Sequence, residues 1–532
     1  MHKAAVGYAI GKLLQIMGLF LIAGLGIAVY DNFHLSLREL IVQAEVFGFW
    51  LAILLSELIG TQMVVAFKSG RYLQGVKEGY AIVTIGWFSL TLIGCIPLLS
   101  HLISSDPQGW SNFFRHFTDA YFEIMSGFTT TGATILTDIE ATPRSILFLR
   151  ALTHWLGGMG IITLAIVVFP AMGVFGYQMF RGEVPGPTKE RLYPRLAQTA
   201  SVLWGVYLLL SVAETILLMI GGMNLFDSVC HTFATMATGG FSTKNASVAA
   251  FQSDFIEWVI TVFMFFAGIN FLLHFRALRG DFISMYRNRE FGFYAAVVVI
   301  TIVVTTCVLY INGPTTIDHA MESYRHKPMS FDEFAGHYAA ESSKVETLYD
   351  SFRVASFQAM SIISTTGFAT ADFDLWPDFI RFSLVLLMFF GGCAGSTGGG
   401  MKMIRVMMIG KIAFNELRKL TQPRLVSLVK VGDEAVDDRR IINVVSFVAL
   451  FVGLFVVTAG LMLLFVPDLT TAVACSIATI GNIGPGLGGI GAIENYAWIP
   501  LPGKWILVFS MLLGRLEIFT VLIILRPSVW RK

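Results

Sequence analysis

The sequence has 532 residues, of which 55% are hydrophobic and only 14% are charged, and its formal net charge is +1. A soluble protein of this length needs far more charge to cover its surface, so the composition excludes a soluble globular fold. The balanced charge also gives no reason to expect a nucleic-acid partner.

Ten apolar blocks follow one another along the chain, most of them near the length that a helix needs to cross a bilayer. They are residues 16–30, 46–67, 80–99, 146–169, 201–220, 255–273, 293–310, 379–392, 441–466 and 505–525. No small-residue cleavage site follows the first block, so we interpret it as a span and not as a removed signal peptide.

Lys and Arg residues concentrate on alternate loops. Segment 402–440 has nine of them against five acids, segment 176–195 has four against two, and segment 313–350 reverses the balance with three against seven. By the positive-inside rule the basic loops face the cytoplasm and 313–350 faces outward. Basic residues near both ends predict that both termini of this multi-pass membrane protein lie in the cytoplasm.

Five cysteines stand singly in apolar stretches. They are Cys95, Cys230, Cys307, Cys393 and Cys475. We expect free, buried thiols and neither a disulfide nor a metal cluster.

Four segments of the chain share one form: an aromatic-rich amphipathic stretch, a Thr/Gly cluster, a polar turn and a long apolar helix. They align on Gly132, Gly240, Gly367 and Gly484, which are 108, 127 and 117 residues apart. A pair of small residues follows each glycine at a similar distance, less well in the fourth copy. The stretch of 12 to 14 residues before each glycine is too short to span as a helix, so it predicts a re-entrant half-helix.

Backbone turns at membrane depth are tolerated only where they are buried in protein or line water, so four such turns should meet around one pore. Rings of backbone carbonyls replace the hydration shell of an alkali cation, and glycine permits the required backbone angles. We therefore predict a cation filter. Its residues are Thr130, Thr131, Gly132, Thr238, Gly239, Gly240, Thr365, Thr366, Gly367, Asn482, Ile483 and Gly484. The alternative is that each cluster is an ordinary Gly/Thr helix-packing motif.

Segment 391–400 contains six glycines in ten residues and cannot hold a stable helix, because each glycine costs about 1 kcal/mol relative to alanine. These glycines are Gly391, Gly392, Gly395, Gly398, Gly399 and Gly400. Arg515 lies in the last apolar block, where an unpaired charge is costly, and the freed carbonyls of the loop would satisfy it. We predict a gate below the filter, in which Arg515 holds the loop and repels cations. The alternative is that Arg515 pairs with Glu517 or Glu214 as structural glue.

Other ionisable residues fall inside or at the ends of the apolar blocks. Glu123 lies in the first half-helix, and we expect it to brace the filter from behind. His154 is interpreted as a packed, hydrogen-bonded histidine and not as a proton relay. Glu45, Glu257 and Arg381 are better placed at the membrane interface.

The segments around the four glycines resemble the filter segments of the Trk/Ktr/HKT superfamily of K⁺ transporters. The segments are TTTGAT at 129–134, ATGGFST at 237–243, STTGFAT at 364–370 and GNIGPG at 481–486. Three further segments are similar too: HWLGGMG at 154–160, FFGGCAGSTGGGMK at 389–402 and GRLE at 514–517. The two spans before the first repeat resemble those of the TrkH branch, whereas insertion 313–350 departs from the pattern.

This resemblance implies a homodimer with one pore in each subunit and a cytoplasmic, TrkA-like nucleotide-binding ring docked on the basic loops. It also implies selectivity for K⁺, since Na⁺-permeable relatives place Ser where this chain has Gly132. A membrane enzyme is the rival class, but the sequence contains no HExxH, GxSxG or Walker A motif.

The predicted fold is an all-α polytopic membrane protein, with four pseudo-symmetric helix–re-entrant loop–helix repeats around one pore and two extra N-terminal helices. The divisions are 1–70 for the extension and 71–175, 176–290, 291–435 and 436–532 for the repeats. The predicted function is regulated uptake of K⁺, the transported ion. An H⁺- or Na⁺-coupled symporter of the same fold is the alternative.

Overall fold

The computed structural model describes residues 1–72, 76–168, 196–317, 321, 330–422, 430–431, 434–436 and 438–530. The helices of the first half are α1 (Lys3–Asp31), α2 (Leu37–Val42), α3 (Ala44–Ala66), α4 (Val76–Gly94), α5 (Ile96–Ser105), α6 (Phe113–Phe128), α7 (Arg144–Val168), α8 (Leu196–Ile220), α9 (Leu225–Met236), α10 (Asp254–Ala267), α11 (Phe271–Leu278) and α12 (Ile283–Arg287). The remaining helices are α13 (Arg289–Asn312), α14 (Phe331–Ser343), α15 (Leu348–Ile363), α16 (Asp378–Leu387), α17 (Met403–Thr421), α18 (Asp438–Met462), α19 (Leu469–Ile480), α20 (Leu501–Arg515), α21 (Phe519–Ile524) and α22 (Pro527–Trp530). Two-residue strands β1 (Lys430–Val431) and β2 (Glu434–Ala435) pair antiparallel.

Six helical segments of the described chain are long and apolar enough to cross a bilayer. They are Lys3–Asp31, Ala44–Ala66, Lys77–Ser105, Ala200–Ile220, Arg289–Asn312 and Ile441–Met462. The first two are the N-terminal pair, and the other four are the opening helices of the four repeats. The predicted all-α membrane architecture is therefore confirmed.

Small residues let the N-terminal pair approach closely. A Cβ added at Gly11 of α1 would lie 2.8 Å from the carbonyl oxygen of Gly60 in α3, and a Cβ at Gly60 would lie 2.8 Å from the carbonyl oxygen of Gly11. The hydroxyl of Ser56 donates to the carbonyl of Leu14 at 2.8 Å. In an apolar solvent such backbone approach and interhelical hydrogen bonding are what hold two helices together. The pair packs through α1 onto α4 and α7 of the first repeat.

The closing helix of every repeat is interrupted. Gly160 departs from helical angles within α7 at φ 46°, α10 and α11 meet at a bend of 103°, residues 388–402 separate α16 from α17, and residues 516–518 separate α20 from α21. The sequence predicted this break only in the third repeat and a long apolar helix in the others, which is wrong. The reason is tertiary: the carbonyl of Gly268, freed at the second break, accepts the amide of Cys393 at 2.8 Å from another repeat.

Four of the five cysteines are buried free thiols, as expected, whereas Cys307 is exposed. It lies on α13, which is apolar on all sides, so the hydropathy pattern could not orient its faces. Basic segment 176–195 and residues Arg424, Arg531 and Lys532 lie outside the described residues, and the proposed repeat boundaries stay predictions.

Candidate functional site

The four half-helices α6, α9, α15 and α19 each end four residues before an aligned glycine. The chain then follows the same path in every copy. The residue two before the glycine has positive φ, at 50° for Thr130, 55° for Thr238, 61° for Thr365 and 55° for Asn482. The glycines follow at φ 78° for Gly132, 80° for Gly240, 80° for Gly367 and 95° for Gly484. Left-handed angles at two nearby positions in four copies explain why glycine stands at the second of them.

Hydrogen bonding confirms that the four turns share one conformation. In each copy the amide of the residue before the glycine donates, at 2.8 Å, to the carbonyl five residues earlier in the half-helix. The donor–acceptor pairs are Thr131 with Ser126, Gly239 with Ala234, Thr366 with Ser361 and Ile483 with Ala478. The amide is therefore directed back into the helix end.

The four turns close into one ring. A Cβ added to any of the four glycines would lie under 3.0 Å from the carbonyl oxygen of the residue that precedes the aligned glycine in the next repeat. The pairs are Gly132 with Gly239, Gly240 with Thr366, Gly367 with Ile483, and Gly484 with Thr131. The order is first to second, second to third, third to fourth and fourth to first. The predicted filter residues are thus brought together, with no space for a side chain at the glycines.

Most threonine hydroxyls in this ring are bonded to protein groups, whereas the buried hydroxyl of Thr130 has no hydrogen-bond partner among the described residues. The hydroxyl of Thr131 lies 2.8 Å from that of Thr129 and accepts the side-chain amide of Asn482 at 3.0 Å. The hydroxyl of Thr365 accepts the amide of Gly399 at 2.7 Å. The Asn482 contact joins the fourth repeat to the first, and the other two contacts stiffen the turns within one repeat. Backbone carbonyls are the main oxygens that remain for a cation, and the half-helices direct their negative ends toward them.

Nine residues before each glycine, the half-helix carries a side chain that contacts its own outgoing chain in three of the four repeats. The four residues at this position are Glu123, His231, Gln358 and Cys475. His231 is hydrogen-bonded to the hydroxyl of Ser242 at 3.0 Å, and Gln358 donates to the carbonyl of Ala371 at 2.9 Å. In the fourth repeat this position is Cys475, and Tyr496 contacts the outgoing chain instead. Its hydroxyl donates to the carbonyl of Gly484 at 2.6 Å.

The brace of the first repeat is a buried ion pair. Glu123 accepts the amide of Ile135 at 2.7 Å, the hydroxyl of Thr134 at 2.9 Å and Nε of Arg150 at 2.7 Å. Both charged side chains are at most 1% exposed. Arg150 also donates to the carbonyl of Ser242 at 3.3 Å, so the pair links the first two repeats. This geometry agrees with the bracing position predicted for Glu123.

Residues 388–402 include the predicted gate segment 391–400, and we call them the gate loop for that prediction. They lie against the C-terminal ends of half-helices α9 and α15. Thr397 donates through its hydroxyl to the carbonyl of Met236 at 3.0 Å, at the end of α9. The guanidinium of Arg515 donates to the carbonyl of Thr397 at 2.8 Å and to the carbonyls of Gly157 and Gly158 at 2.7 and 3.1 Å. The arginine therefore joins the loop of the third repeat to the first repeat from its place in the fourth.

Two charged residues that the sequence analysis did not assign to the gate also hold this loop. Glu290, at the start of α13, accepts the amides of Ala394 at 2.7 Å and Ile404 at 3.1 Å. The ammonium of Lys402 donates to the carbonyl of Gly398. Lys402 belongs to segment 389–402, which resembles the Trk/Ktr/HKT superfamily. Nothing in the sequence around Glu290 indicates that its side chain contacts this loop.

A model of the family described as TrkH, cation transport protein, matches residues 42–532. The chain belongs to the TrkH family. Its relatives include the Trk system potassium uptake protein TrkH of Escherichia coli K12, which is 37% identical over 458 residues and 86% of each chain. The protein of the same name from Halomonas elongata is 36% identical over 530 residues, 98% of this chain and 99% of that one.

A crystal structure of the potassium transporter TrkH from Vibrio parahaemolyticus superimposes with a TM-score of 0.79 at 31% identity, and the match covers 100% of both chains. Membership of the TrkH family confirms an integral membrane protein that is a transporter and not an enzyme. The described residues include no group of three or more His, Cys, Asp or Glu side chains suited to a metal ion. The ring of carbonyls is thus the candidate ion site of this TrkH-family protein.

The structure also shows the surroundings of the two acids that were alternative partners of Arg515, and of His154. Glu517 pairs with Arg405 at 2.8 Å, which leaves Arg515 bonded to backbone carbonyls. Glu214 is fully buried on α8, with the side chain of Thr235 as its hydrogen-bonding neighbour. His154 is packed as predicted, stacked on Phe241 with ring centroids 4.1 Å apart, but neither ring nitrogen has a described hydrogen-bond partner. The expectation of a hydrogen bond was wrong because Nδ1 faces the carbon of Gly239, where an added Cβ would lie 2.0 Å from it, and carbon supplies no hydrogen-bonding group.

Proposed function

We propose that this TrkH-family protein takes up K⁺ across the bacterial inner membrane through a selective pore. The relatives from Escherichia coli and Halomonas elongata are named Trk system potassium uptake proteins, which supports K⁺ as the transported ion. A pore also accounts for the arrangement of the four repeats, since their four turns surround a single axis along which an ion could pass. K⁺ is the substrate here, and no resident cofactor is proposed.

The observation that carries this proposal is the closed ring of the four glycine turns. Each glycine of the ring adjoins a backbone carbonyl of the next repeat, so the four filter segments fix one another's spacing. A filter selects among alkali cations through the number and placement of its carbonyl oxygens. Four segments of equal conformation that brace one another supply such a set. Selectivity for K⁺ over Na⁺ then depends on keeping this spacing.

The gate loop supports control of conduction below the filter. Its residue Gly399 donates to Thr365 of the third filter segment, and its residue Thr397 is held by Arg515. Breaking the arginine contacts would release the loop from the first and fourth repeats at once. An arginine retains its charge at all physiological pH values, so it also opposes the passage of cations while it is in place.

The regulatory partner is a cytoplasmic, nucleotide-binding ring of the TrkA type, and the assembled transporter is a homodimer with both termini in the cytoplasm. Helix α17 presents a surface that fits a protein partner. Its last two turns expose Phe414, Leu417 and Leu420 at 55%, 62% and 79%, next to the basic Arg418 and Lys419. Apolar side chains beside cationic ones at the end of a helix match an acidic, partly apolar docking surface.

A carrier that couples K⁺ to H⁺ or Na⁺ is the second candidate. The observation that favours it is Glu214, a carboxyl group that is fully buried on the membrane-spanning helix α8. Ionisable groups at membrane depth are often parts of proton pathways. A pore and a carrier differ in their currents: a pore conducts without coupling and its current reverses near the K⁺ equilibrium potential.

Growth of a transport-deficient bacterium on limiting K⁺ tests the proposal. Cells that express this chain with its ring partner should grow at K⁺ concentrations that do not support the parent strain, and cells with the chain alone should grow less well. Equal growth of parent and expressing cells, at confirmed membrane expression, would contradict K⁺ uptake. Reconstituted protein should carry K⁺ current without a proton gradient, and strictly proton-dependent flux abolished in Glu214→Gln would establish the carrier instead.

A further inference from the structure

Insertion 313–350, which the sequence left without a role, ends in helix α14 beside the third filter segment. The helix begins with a capping box in which Ser330 and Glu333 exchange side-chain and backbone hydrogen bonds. Such a cap fixes the helix start without help from the rest of the protein. The last turn of α14 and the residue after it, Lys344, face the chain that leaves the filter at Gly367. We call residues 368–372 the exit strand.

Two side chains of the insertion bind the backbone of this exit strand. The ammonium of Lys344 donates to the carbonyl of Thr370 at 2.9 Å, and Glu341 accepts the amide of Asp372 at 2.9 Å. Lys344 also donates to Glu341 at 2.6 Å, so lysine, glutamate and exit strand form one closed set of bonds. Nε2 of His337 lies 3.1 Å from the carboxylate of Asp372 and adds a third contact.

The exit strand is also held from the opposite side. Gln358 of half-helix α15 donates to the carbonyl of Ala371, and the amide of Ala369 donates to the hydroxyl of Ser247 at 3.2 Å. The insertion therefore completes a set of backbone contacts that the half-helix and the second repeat only begin. Thr370 and Asp372 are almost fully buried, so a lost contact there would leave a buried polar group without its partner.

Comparison with the first repeat explains why an added clamp is useful here. The first repeat braces its outgoing chain with the buried pair of Glu123 and Arg150, whereas the third repeat has the neutral Gln358 at the position of Glu123. The insertion supplies a Glu–Lys pair to the third repeat from outside. The side chain of Lys344 is 29% exposed, so water screens its charge. Its contribution is therefore the hydrogen bond that holds the exit strand in position.

We propose that Lys344 and Glu341 are positioning residues that set cation selectivity by fixing the exit strand of the third filter segment. The inference rests on the proposed filter. Lys344 and Glu341 reach the ion only through the backbone: they hold residues 370 and 372, which limits how far the carbonyls at the filter can shift. A looser strand would let those carbonyls close on the smaller Na⁺.

The test is the K⁺/Na⁺ permeability ratio of the reconstituted full-length protein, measured as a reversal potential. Lys344→Met and Glu341→Ala should each lower the ratio about fivefold, which corresponds to about 1 kcal/mol, the worth of one ordinary hydrogen bond. Lys344→Arg should restore most of the ratio, since it keeps the donor. Glu346→Gln, which changes an exposed acid two residues further on, is the matched control and should leave it unchanged.

The variant Gly132→Ser distinguishes a failure of this inference from a failure of the filter assignment on which it rests. If Gly132→Ser lowers the ratio while Lys344→Met and Glu341→Ala do not, the clamp is only structural and the inference is overturned. If Gly132→Ser also leaves the ratio unchanged, the filter assignment itself fails. Should Lys344→Met not insert, Glu341→Ala decides, because alanine maintains the helix in the last turn of α14.

Discussion

Arg515 donates to the carbonyl of Thr397 at 2.8 Å and so joins the end of the last long helix to the middle of the gate loop. The bond crosses from the fourth repeat to the third, and the same guanidinium reaches the first repeat at Gly157. Only arginine presents enough planar donors to hold three carbonyls at once. A single side chain thus ties together three of the four repeats below the ring.

Replacing Arg515 with alanine should raise the basal flux of K⁺ and weaken its dependence on the regulatory partner. The change frees the loop and removes a positive charge near the ion path. A unit charge ~6 Å from the ion at an effective dielectric constant of ~20 opposes it by roughly 3 kcal/mol, near a hundredfold in rate. Liposome flux of ⁸⁶Rb⁺ or K⁺ without the partner measures this directly.

Two further variants test whether the planar guanidinium group of Arg515 and the loop that it binds restrain K⁺ flux. Arg515→Lys should be intermediate, because the charge stays and the planar donors are lost, and deletion of 398–400 should act like Arg515→Ala. Arg526→Ala removes an exposed positive charge near the end of the chain and is the control. A folded Arg515→Ala protein that conducts no more than the unmodified chain would show that the arginine is structural glue.

Lys402→Met should also raise basal flux, but less than Arg515→Ala. The lysine contacts the carbonyl of Gly398 within the same loop, so its loss loosens the loop without freeing it from the other repeats. Lys402→Arg should retain the resting state. Lys419→Met, on the exposed end of α17, controls for the loss of a lysine. A flux for Lys402→Met equal to that of the control would remove this residue from the gate.

The buried pair of Glu123 and Arg150 gives a prediction about stability. Arg150→Met leaves an uncompensated buried carboxylate and should destabilise the protein by about 3–5 kcal/mol. The double variant Glu123→Gln with Arg150→Met removes both charges and should recover a large part of that loss. Thermal unfolding in detergent measures both. Glu123→Gln alone completes the comparison. If the loss in unfolding free energy of the double variant equals the sum of the losses of the two single variants, the two residues are not coupled.

Charge reversal of two residues on α17 and of Arg424, which follows the helix in the sequence, tests the docking surface of the partner. Arg418, Lys419 and Arg424 changed together to glutamate should abolish co-purification with the nucleotide-binding ring, because like charges would then face an acidic partner. The same reversal at Arg115 and Arg144, two exposed arginines of the first repeat, is the control. Survival of the complex in the triple variant places the docking site elsewhere.

Sequence alone placed the four glycines in equivalent positions, because a repeated Thr/Gly pattern in register is a strong signal and glycine is the residue that adopts positive φ at least cost. It also singled out Arg515, since a charge in an apolar block needs a partner. Both inferences depend on a local rule: one on the backbone angles that glycine allows, the other on the cost of an unpaired charge.

The interrupted closing helices could not be predicted in the same way. The break after Ala267 exists because Cys393, more than a hundred residues away, donates to the carbonyl of Gly268. The role of Glu290 likewise depends on loop amides of another segment, and the small pairs at 157–158 and 267–268 fit helix packing equally well. Partners that meet only in the folded state leave no periodic or compositional signal.

The most direct test of the account is the reversal potential of Gly367→Ser between K⁺ and Na⁺ solutions. A Cβ at Gly367 would overlap the carbonyl of Ile483 in the next repeat, so the ring must distort. Gly453→Ser is the control, since a Cβ there meets nothing within 4 Å. We predict that Gly367→Ser inserts and conducts with a reduced K⁺/Na⁺ permeability ratio while Gly453→Ser keeps the original ratio. An unchanged ratio in a conducting Gly367→Ser protein would contradict the assignment of the glycine ring as the filter.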